Sequence, residues 1–320
     1  MNTLDLLALN LLSPVVLSFA LGAAAAFVRS DLKLPEAFYQ SLSIYLLFAI
    51  GLKGGVALAQ TPLEDLWLPA LVTLLLGSAM PLWTYAILRW LRFGVADAAA
   101  LAAHYGSVSA VTFVAAGTFV SAAGSPAEGF LPSLVALLEV PAIVIALLIA
   151  RSRMGSKRPL GEAMHEVLAG RSVVLLVGGV VVGALAGPEG YAPVQPLFTG
   201  LFHGALALFL LELGGTAARR ARDLARGGLR LALFAIAAPL VHGALGVWLG
   251  HVAGLGHGGA TVLGAMSASA SYIAAPAAVR IALPEANPAY YLTGSLAITF
   301  PFNLALGIPL FYALSEVLAR

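Results

Sequence analysis

The feature that most constrains the fold is a series of ten apolar segments separated by short polar connections. Each segment has roughly 17 to 29 residues, enough to cross a hydrocarbon layer of about 30 Å at about 1.5 Å per helical residue. A chain of 320 residues that is 60% hydrophobic could not bury this surface in one water-soluble core. The sequence therefore predicts an all-α integral membrane protein with ten transmembrane helices. The predicted spans lie near residues 9–28, 41–60, 66–88, 97–120, 130–150, 172–188, 197–215, 231–253, 259–279 and 289–317.

The positive charges divide between the two sides of these spans. Of the 17 Lys and Arg residues, only Lys53 and Arg320 fall outside the odd-numbered connections. Because basic connections remain on the cytoplasmic side, we expect a multi-pass protein of the inner or plasma membrane with both termini outside. The net charge of +2 reflects this asymmetry and indicates no nucleic-acid partner. The basic residues of the odd connections are Arg29, Lys33, Arg89, Arg92, Arg151, Arg153, Lys157, Arg158, Arg171, Arg219, Arg220, Arg222, Arg226, Arg230 and Arg280.

Several landmarks recur about 160 residues apart, which indicates a duplicated unit of five spans. An odd number of spans makes the second copy enter the bilayer from the opposite side, as in transporters built from inverted repeats. We therefore predict one repeat in residues 1–160 and a second in 161–320; the family resemblance described below implies that each contributes to a gate unit and a core unit. The recurring landmarks are Gly54-Gly55 with Gly214-Gly215, Pro141 with Pro301, and Ser107-x-Ser109 with Ser269-x-Ser271.

Spaced hydroxyls interrupt one apolar span in each half. The fourth span contains Gly106-Ser107-Val108-Ser109-Ala110-Val111-Thr112, and the ninth contains a run from Ser269 to Pro276. Glycine leaves helical geometry at low cost and proline lacks an N–H donor, so Gly106 and Pro276 are predicted to mark helix breaks, the second within 269–276. Two opposed half-helix N-termini favour a small anion, and the carbonyls at the other half-helix ends suit Na⁺. The predicted anion-binding residues are Gly106, Ser107, Ser109, Thr112, Ser269 and Ser271.

A few polar side chains within the spans are candidates for a cation site, because such groups are rare in membranes. Glu139 could supply a carboxylate, and Asn303 an amide oxygen. Lys53 and Glu212 lie close to the ends of their spans, so we expect their long side chains to reach the membrane interface. An alternative interpretation of the hydroxyls is that they allow close helix packing or bond to their own helix.

The motifs of enzymes are missing from the sequence. The chain contains no cysteine, which excludes thiolate metal sites and thiol catalysis, and it has no GxSxG or phosphate-binding glycine motif. The sequence therefore favours a transporter over an enzyme.

Three sets of motifs resemble the sodium-dependent bicarbonate transporter family, in the family's order and over nearly the whole chain. They are Leu34-Pro35-Glu36 leading into Ile50-Gly51-Leu52-Lys53-Gly54-Gly55, then Gly106-Ser107-Val108-Ser109, and Leu283-Pro284-Glu285-Ala286-Asn287-Pro288 leading into Ile308-Pro309-Leu310-Phe311. The resemblance implies ten spans in two inverted repeats with crossed broken helices, assembly as a homotrimer, and Na⁺-driven uptake of bicarbonate by alternating access.

The same resemblance implies site residues and points to departures. Ser109 and Thr112 match the family's first motif, and Ser269, Ser271 and Pro276 match its second. Tyr272 replaces an acidic residue, which leaves its phenol as a cation ligand or an anion donor; Ala274 and Val111 replace hydroxyls. Some family members bind a small cytoplasmic signalling protein, but the connection 151–171 is shorter here than expected for them.

Other functions are compatible with this pattern. A cation/proton antiporter of related fold would need a titrating carboxylate, for which only Glu139 qualifies. A symporter for another small anion would keep the same site. A membrane sensor or scaffold would bind an anion without moving it.

Overall fold

The computed structural model describes residues 3–154, 160–221 and 224–319. The described chain is all-helical and contains no strand. Its helices are α1 (Thr3–Leu11), α2 (Pro14–Phe27), α3 (Glu36–Leu58), α4 (Leu63–Trp90), α5 (Val95–Gly106), α6 (Ala110–Ala122), α7 (Leu131–Met154), α8 (Leu160–Leu168), α9 (Arg171–Tyr191), α10 (Phe202–Ala221), α11 (Leu224–Val252), α12 (His257–Ser267), α13 (Ala274–Ala282) and α14 (Pro288–Leu318).

Seven segments are long and apolar enough to cross a membrane, with α5 and α6 counted together as one segment. The number is eight if α1 and α2, bent by 59° at Leu12 and Ser13, form one span. This finding supports a multi-pass membrane protein. It does not reach the ten predicted spans, because α10 carries Glu212, Arg219 and Arg220, and the segment predicted at 259–279 is divided between α12 and α13. The inverted arrangement of ten spans therefore stays a prediction.

The basic residues used to orient the chain are only partly described. Lys157, Arg158, Arg222 and Arg320 lie outside the described residues, and the side chain of Arg226 does too.

The helices pack in two groups. The four-helix group comprises α2, α3, α9 and α10, with α3 against α9 and α2 against α10. The crossing group comprises α4–α7 and α11–α14, in which α5 packs on α4 and α7, and α12 packs on α6 and α11. Because each broken helix belongs to the crossing group, this group positions the candidate site.

Glycine allows the close contacts of the four-helix group. A Cβ on Gly55 would lie 2.0 Å from the carbonyl oxygen of Val180, and one on Gly183 would lie 2.1 Å from that of Leu52. On the other helix pair, a Cβ on Gly214 would lie 2.0 Å from the carbonyl oxygen of Phe19. Small residues let membrane helices approach this closely, so the two pairs form a tightly packed unit beside the crossing group.

The last helix, α14, is locally widened. Two stretches, Thr293–Thr299 and Asn303–Gly307, are π-helical. Such stretches free main-chain carbonyls from the regular ladder. Asn10 of α1 uses this opening, because its Nδ2 donates to the carbonyl oxygens of Leu304 (2.7 Å) and Ala305 (3.3 Å).

Candidate ion-binding site at the crossing of two broken helices

The first break lies where the sequence predicts it. Helix α5 ends at Gly106, the next three residues leave the helix, and α6 begins at Ala110; Ser107 is extended, with φ −88° and ψ −179°. A Cβ on Gly106 would lie 2.7 Å from Cβ of Ala142 and 2.9 Å from Cδ of Pro81. Glycine therefore allows α5 to end against α4 and α7. Residues 98–116 are all buried, and Val95–Ala122 counts as one apolar segment without a strong bend.

The second break is displaced from its predicted position. Helix α12 ends at Ser267 and α13 begins at Ala274, so the non-helical residues are 268–273 instead of 269–276. Pro276 lies in the first turn of α13. Because the first N–H groups of a helix have no partner within it, proline is tolerated there, and Pro276 follows the break without forming it.

One serine in each break accepts a hydrogen bond from the start of the half-helix that follows. The Oγ of Ser109 accepts a hydrogen bond from the N–H of Thr112 at 3.1 Å, and the Oγ of Ser271 accepts one from the N–H of Ala275 at 3.2 Å. Each bond satisfies one of the free donors at a helix start. Both serines are buried. Their positions differ, because Ser109 is the N-cap of α6, whereas Ser271 lies two residues before Ile273, the N-cap of α13.

The two breaks contact each other directly. The N–H of Ser109 donates to Oγ of Ser269 at 2.8 Å, and the Oγ of Ser109 donates to the hydroxyl of Tyr272 at 3.1 Å. In the other direction, the N–H of Ser271 donates to the carbonyl oxygen of His104 at 2.8 Å. The broken helices thus cross at their unwound segments.

Free main-chain donors remain at both half-helix starts. In the part of the chain that the structure describes, the N–H groups of Ala110 and Val111 at the start of α6 have no acceptor, and neither do those of Ile273 and Ala274 near the start of α13. Each helix start carries about half a positive charge. Together they form an electropositive environment without a buried Arg or Lys.

The remaining predicted residues surround this crossing at different distances. Ser107 is fully buried and donates through Oγ to the carbonyl oxygen of Glu139 at 3.1 Å. Thr112 lies on α6, where its Oγ1 is buried without a hydrogen-bond partner. Asn303 donates through Nδ2 to the carbonyl oxygen of Ala268 at 2.8 Å, and its Oδ1 is buried without a partner.

The three predicted cation-binding residues do not form one cluster in the described chain. Tyr272 bonds to Ser109 and packs edge-on against Phe300, at 5.5 Å between ring centroids. Asn303 reaches the second break through its bond to Ala268. Glu139 is buried, but only its main-chain oxygen reaches the first break, and no ion pair of its carboxylate occurs among the described residues.

A vestibule of about 630 Å³ leads from one end of the bundle to the second break. Tyr272, Ile273 and Ala274 line it where α13 begins. Its walls are rich in charge, with five basic residues against three acidic ones. These residues are Lys33, Arg171, Arg219, Arg220 and Arg280, and Glu36, Glu166 and Glu212.

A small apolar pocket, which we call the apolar constriction, adjoins the vestibule. It has a volume of about 10 Å³, shares Ser43 and Ile273 with the vestibule and reaches Ala110 and Val111 at the start of α6. This volume is too small for a bicarbonate ion. The aliphatic and aromatic side chains that complete its wall are Leu46, Leu47, Ile50, Val114, Leu206 and Phe209.

Two charged residues have partners that the local sequence did not show. Glu212 is buried, forms an ion pair with Arg219 at 2.8 Å and accepts a hydrogen bond from the N–H of Leu34 at 2.8 Å. Lys53 is half-buried, and its Nζ lies over the ring of Phe202, 3.9 Å from the centroid. The expectation that both side chains reach the membrane interface stays a prediction.

The vestibule itself was not predicted. Its charged residues come from four separate stretches of the chain, each of which is an ordinary basic or acidic end of a span. One signal was present: Lys33, Arg171, Arg219, Arg220 and Arg280 all belong to the odd-numbered connections. Charge partition therefore identified the side of the bundle on which the vestibule opens, although it did not predict a cavity.

Comparison with known proteins gives one match over nearly the entire chain. Residues 14–316 match the sequence model of a protein family described as the Na⁺-dependent bicarbonate transporter superfamily. A search of curated proteins found no match.

Proposed function

The chain belongs to the Na⁺-dependent bicarbonate transporter superfamily, and from this premise we propose that it is a secondary active transporter that takes up bicarbonate with Na⁺ by alternating access. The observation that carries the proposal is the crossing of two broken helices whose half-helix starts retain free N–H groups beside a basic vestibule. Crossed, broken helices are typical of transporters that bind small ions near the middle of the membrane.

The proposed anion site is the space between the starts of α6 and α13. Main-chain N–H groups and helix dipoles bind small oxyanions without a fixed positive side chain. The donors available are the N–H groups of Ala110, Val111, Ile273 and Ala274. Ser109 and Ser271 keep these half-helices in position through the hydrogen bonds that their hydroxyls accept. Gly106, Ser107, Thr112 and Ser269 form the surrounding shell.

The proposed Na⁺ ligands are neutral oxygen atoms close to the same crossing. The Oδ1 of Asn303 is buried and unsatisfied, and an unpaired polar atom of this kind is costly unless a ligand or water meets it. The hydroxyl of Tyr272 borders the vestibule, so we assign it to the same site in place of the acidic residue of the family pattern. Glu139 belongs to this proposal only if its carboxylate turns toward the break.

Alternating access follows from the division into two helix groups. We assign the four-helix group as the gate unit and the crossing group as the core unit, arranged as two inverted repeats of five spans. Under the orientation given by the basic connections, the vestibule opens to the cytoplasm and the apolar constriction closes the outer side. The described conformation then corresponds to an inward-open state, with assembly as a homotrimer part of the same proposal.

Uptake into proteoliposomes tests the proposal directly. Labelled bicarbonate should accumulate under an inward Na⁺ gradient and not under an equal K⁺ gradient. Replacing Ser109 by Leu would fill the crossing, and we expect this variant to lose uptake while remaining monodisperse in detergent. Uptake that is equal with Na⁺ and K⁺ would refute Na⁺ coupling.

The remaining outcomes separate the alternatives. Exchange of Na⁺ for protons across the vesicle membrane, independent of bicarbonate and abolished by Glu139→Gln, would favour a cation/proton antiporter. Thermal stabilisation by bicarbonate without any uptake would favour a sensor or scaffold.

A further inference from the structure

Three helices that line the apolar constriction continue from it toward the outer side. The constriction is lined by Ile50 of α3, Val114 of α6 and Leu206 of α10. One helical turn is 3.6 residues. One turn further outward on these helices lie Lys53, Thr118 and the pair Phe202 and His203. The next layer of side chains on these helices is therefore polar and cationic, whereas the constriction is apolar.

The contacts among these residues join the two helix groups. Nζ of Lys53 lies 3.9 Å from the ring centroid of Phe202, which links α3 to α10 inside the four-helix group. Oγ1 of Thr118 and Nε2 of His203 are 3.4 Å apart, which links α6 of the crossing group to α10. The polar layer therefore lies at the boundary that must open during alternating access.

Lys53 is unusual among the basic residues of the chain. It is the only Lys or Arg outside the odd-numbered connections apart from Arg320. Within the described residues no carboxylate forms an ion pair with it, and an aromatic ring faces its ammonium group instead. A cation–π contact stabilises an ammonium group without neutralising its charge. A half-buried positive charge without an ion-pair partner attracts small anions.

We infer that Lys53 of α3, together with Thr118 and His203 at the contact of α6 with α10, forms an outer entry site that captures a small oxyanion before it reaches the crossing. In the described conformation the ammonium group is held against Phe202 and the path is closed. When the four-helix group separates from α6, the same ammonium group becomes the first cation that an entering anion meets. This inference rests on the proposed function, because it assigns the outer side and the direction of entry.

Thiol labelling tests binding at this site without depending on transport. Because the chain has no cysteine, Thr118→Cys provides a single thiol at the contact with His203, which follows Phe202 in the chain. Intact cells expressing the full chain are treated with a membrane-impermeant methanethiosulfonate, with bicarbonate or with gluconate at equal ionic strength. We expect bicarbonate to slow the reaction several-fold, since the bound anion covers the thiol.

Variants at position 53 decide whether the lysine holds the anion. Protection by bicarbonate should persist with Lys53→Arg and disappear with Lys53→Gln. Lys33→Gln is the matched control, because Lys33 lines the vestibule at the other end of the bundle and its loss should leave protection unchanged. Protection that survives Lys53→Gln, or a thiol that does not react from outside in a folded variant, would overturn the inference.

Uptake kinetics supply a second measurement. In proteoliposomes, Lys53→Gln should raise the half-saturating bicarbonate concentration about tenfold and keep the maximal rate, because loss of one attracting charge weakens capture more than the later steps. An unchanged half-saturating concentration would contradict the proposed role. If the wild-type chain shows no Na⁺-driven uptake, the proposed function fails, and the labelling experiment alone decides whether the outer site binds an anion.

Discussion

Ser109 and Ser271 act first on the local backbone, because each hydroxyl accepts a hydrogen bond from an N–H group at the start of the half-helix that follows it. We expect Ser271→Ala to lower the free energy of unfolding by about 1 kcal/mol, because it removes the acceptor of one buried main-chain N–H. The measurement is thermal unfolding in detergent, with bicarbonate absent. Ser121→Ala is the control, because this exposed serine only donates to the carbonyl oxygen of Gly117 in its own helix. An equal shift in both variants would contradict this role of Ser271.

Single residues also show which parts of the site were predictable. Hydroxyls in an apolar span are rare, and Gly106 beside them marks the first break, so that break was readable from a few neighbouring residues. The second break was harder to place from Pro276, since a proline in the first turn of a helix and one inside a helix look the same in sequence. The bond from Ser109 to Tyr272 joins residues 163 positions apart, and no local pattern predicts such a pair.

Pairs of helices set the geometry of the four-helix group, and glycine spacing controls these pairs. Gly183 and Gly178 lie on the same helix, α9, but a Cβ on Gly183 would meet the carbonyl oxygen of Leu52 at 2.1 Å, whereas one on Gly178 would meet no atom within 4 Å. We expect Gly183→Ala to force α3 and α9 apart and to lower stability by about 2 kcal/mol, in the range for overpacking.

The matched control for this prediction is Gly178→Ala. Alanine has the higher helix propensity, so this variant should be as stable as the wild type or slightly more stable. Melting temperatures of the two purified variants provide the comparison. If Gly183→Ala unfolded at the same temperature as Gly178→Ala, the close contact of α3 with α9 would not contribute to stability.

At the scale of elements, apolar length predicted most spans, but two were ambiguous for physical reasons. Helix α10 ends in Arg219 and Arg220, and Arg219 forms an ion pair with Glu212. These charged residues lower the mean hydropathy of a helix that is nevertheless well packed. The segment from α12 to α13 is divided by residues 268–273, which shortens each half. A break within a helix therefore also weakens the hydropathy pattern by which a membrane span is recognised.

The two ends of the whole molecule differ both in charge and in how open they are. Charge partition distinguishes the two ends of the bundle, and the vestibule opens among basic residues of the odd-numbered connections. Because positive connections remain cytoplasmic, the proposed function places the open end in the cytoplasm and the end beyond the apolar constriction outside. The proposed inward-open conformation and the proposed capture role of Lys53 both depend on this orientation.

Cysteine accessibility tests the assignment at the scale of the molecule, since the chain has no cysteine of its own. Ser30 is exposed in the first connection and Gln60 is exposed in the second. In intact cells, an impermeant maleimide should label Gln60→Cys and leave Ser30→Cys unlabelled until the membrane is permeabilised. Labelling of Ser30→Cys alone would reverse the orientation, so that the basic vestibule would face outward and Lys53 would lie on the cytoplasmic side. If neither variant is labelled before permeabilisation and both are labelled after it, the two loops lie on the same side of the membrane. That outcome is incompatible with a membrane-spanning α3.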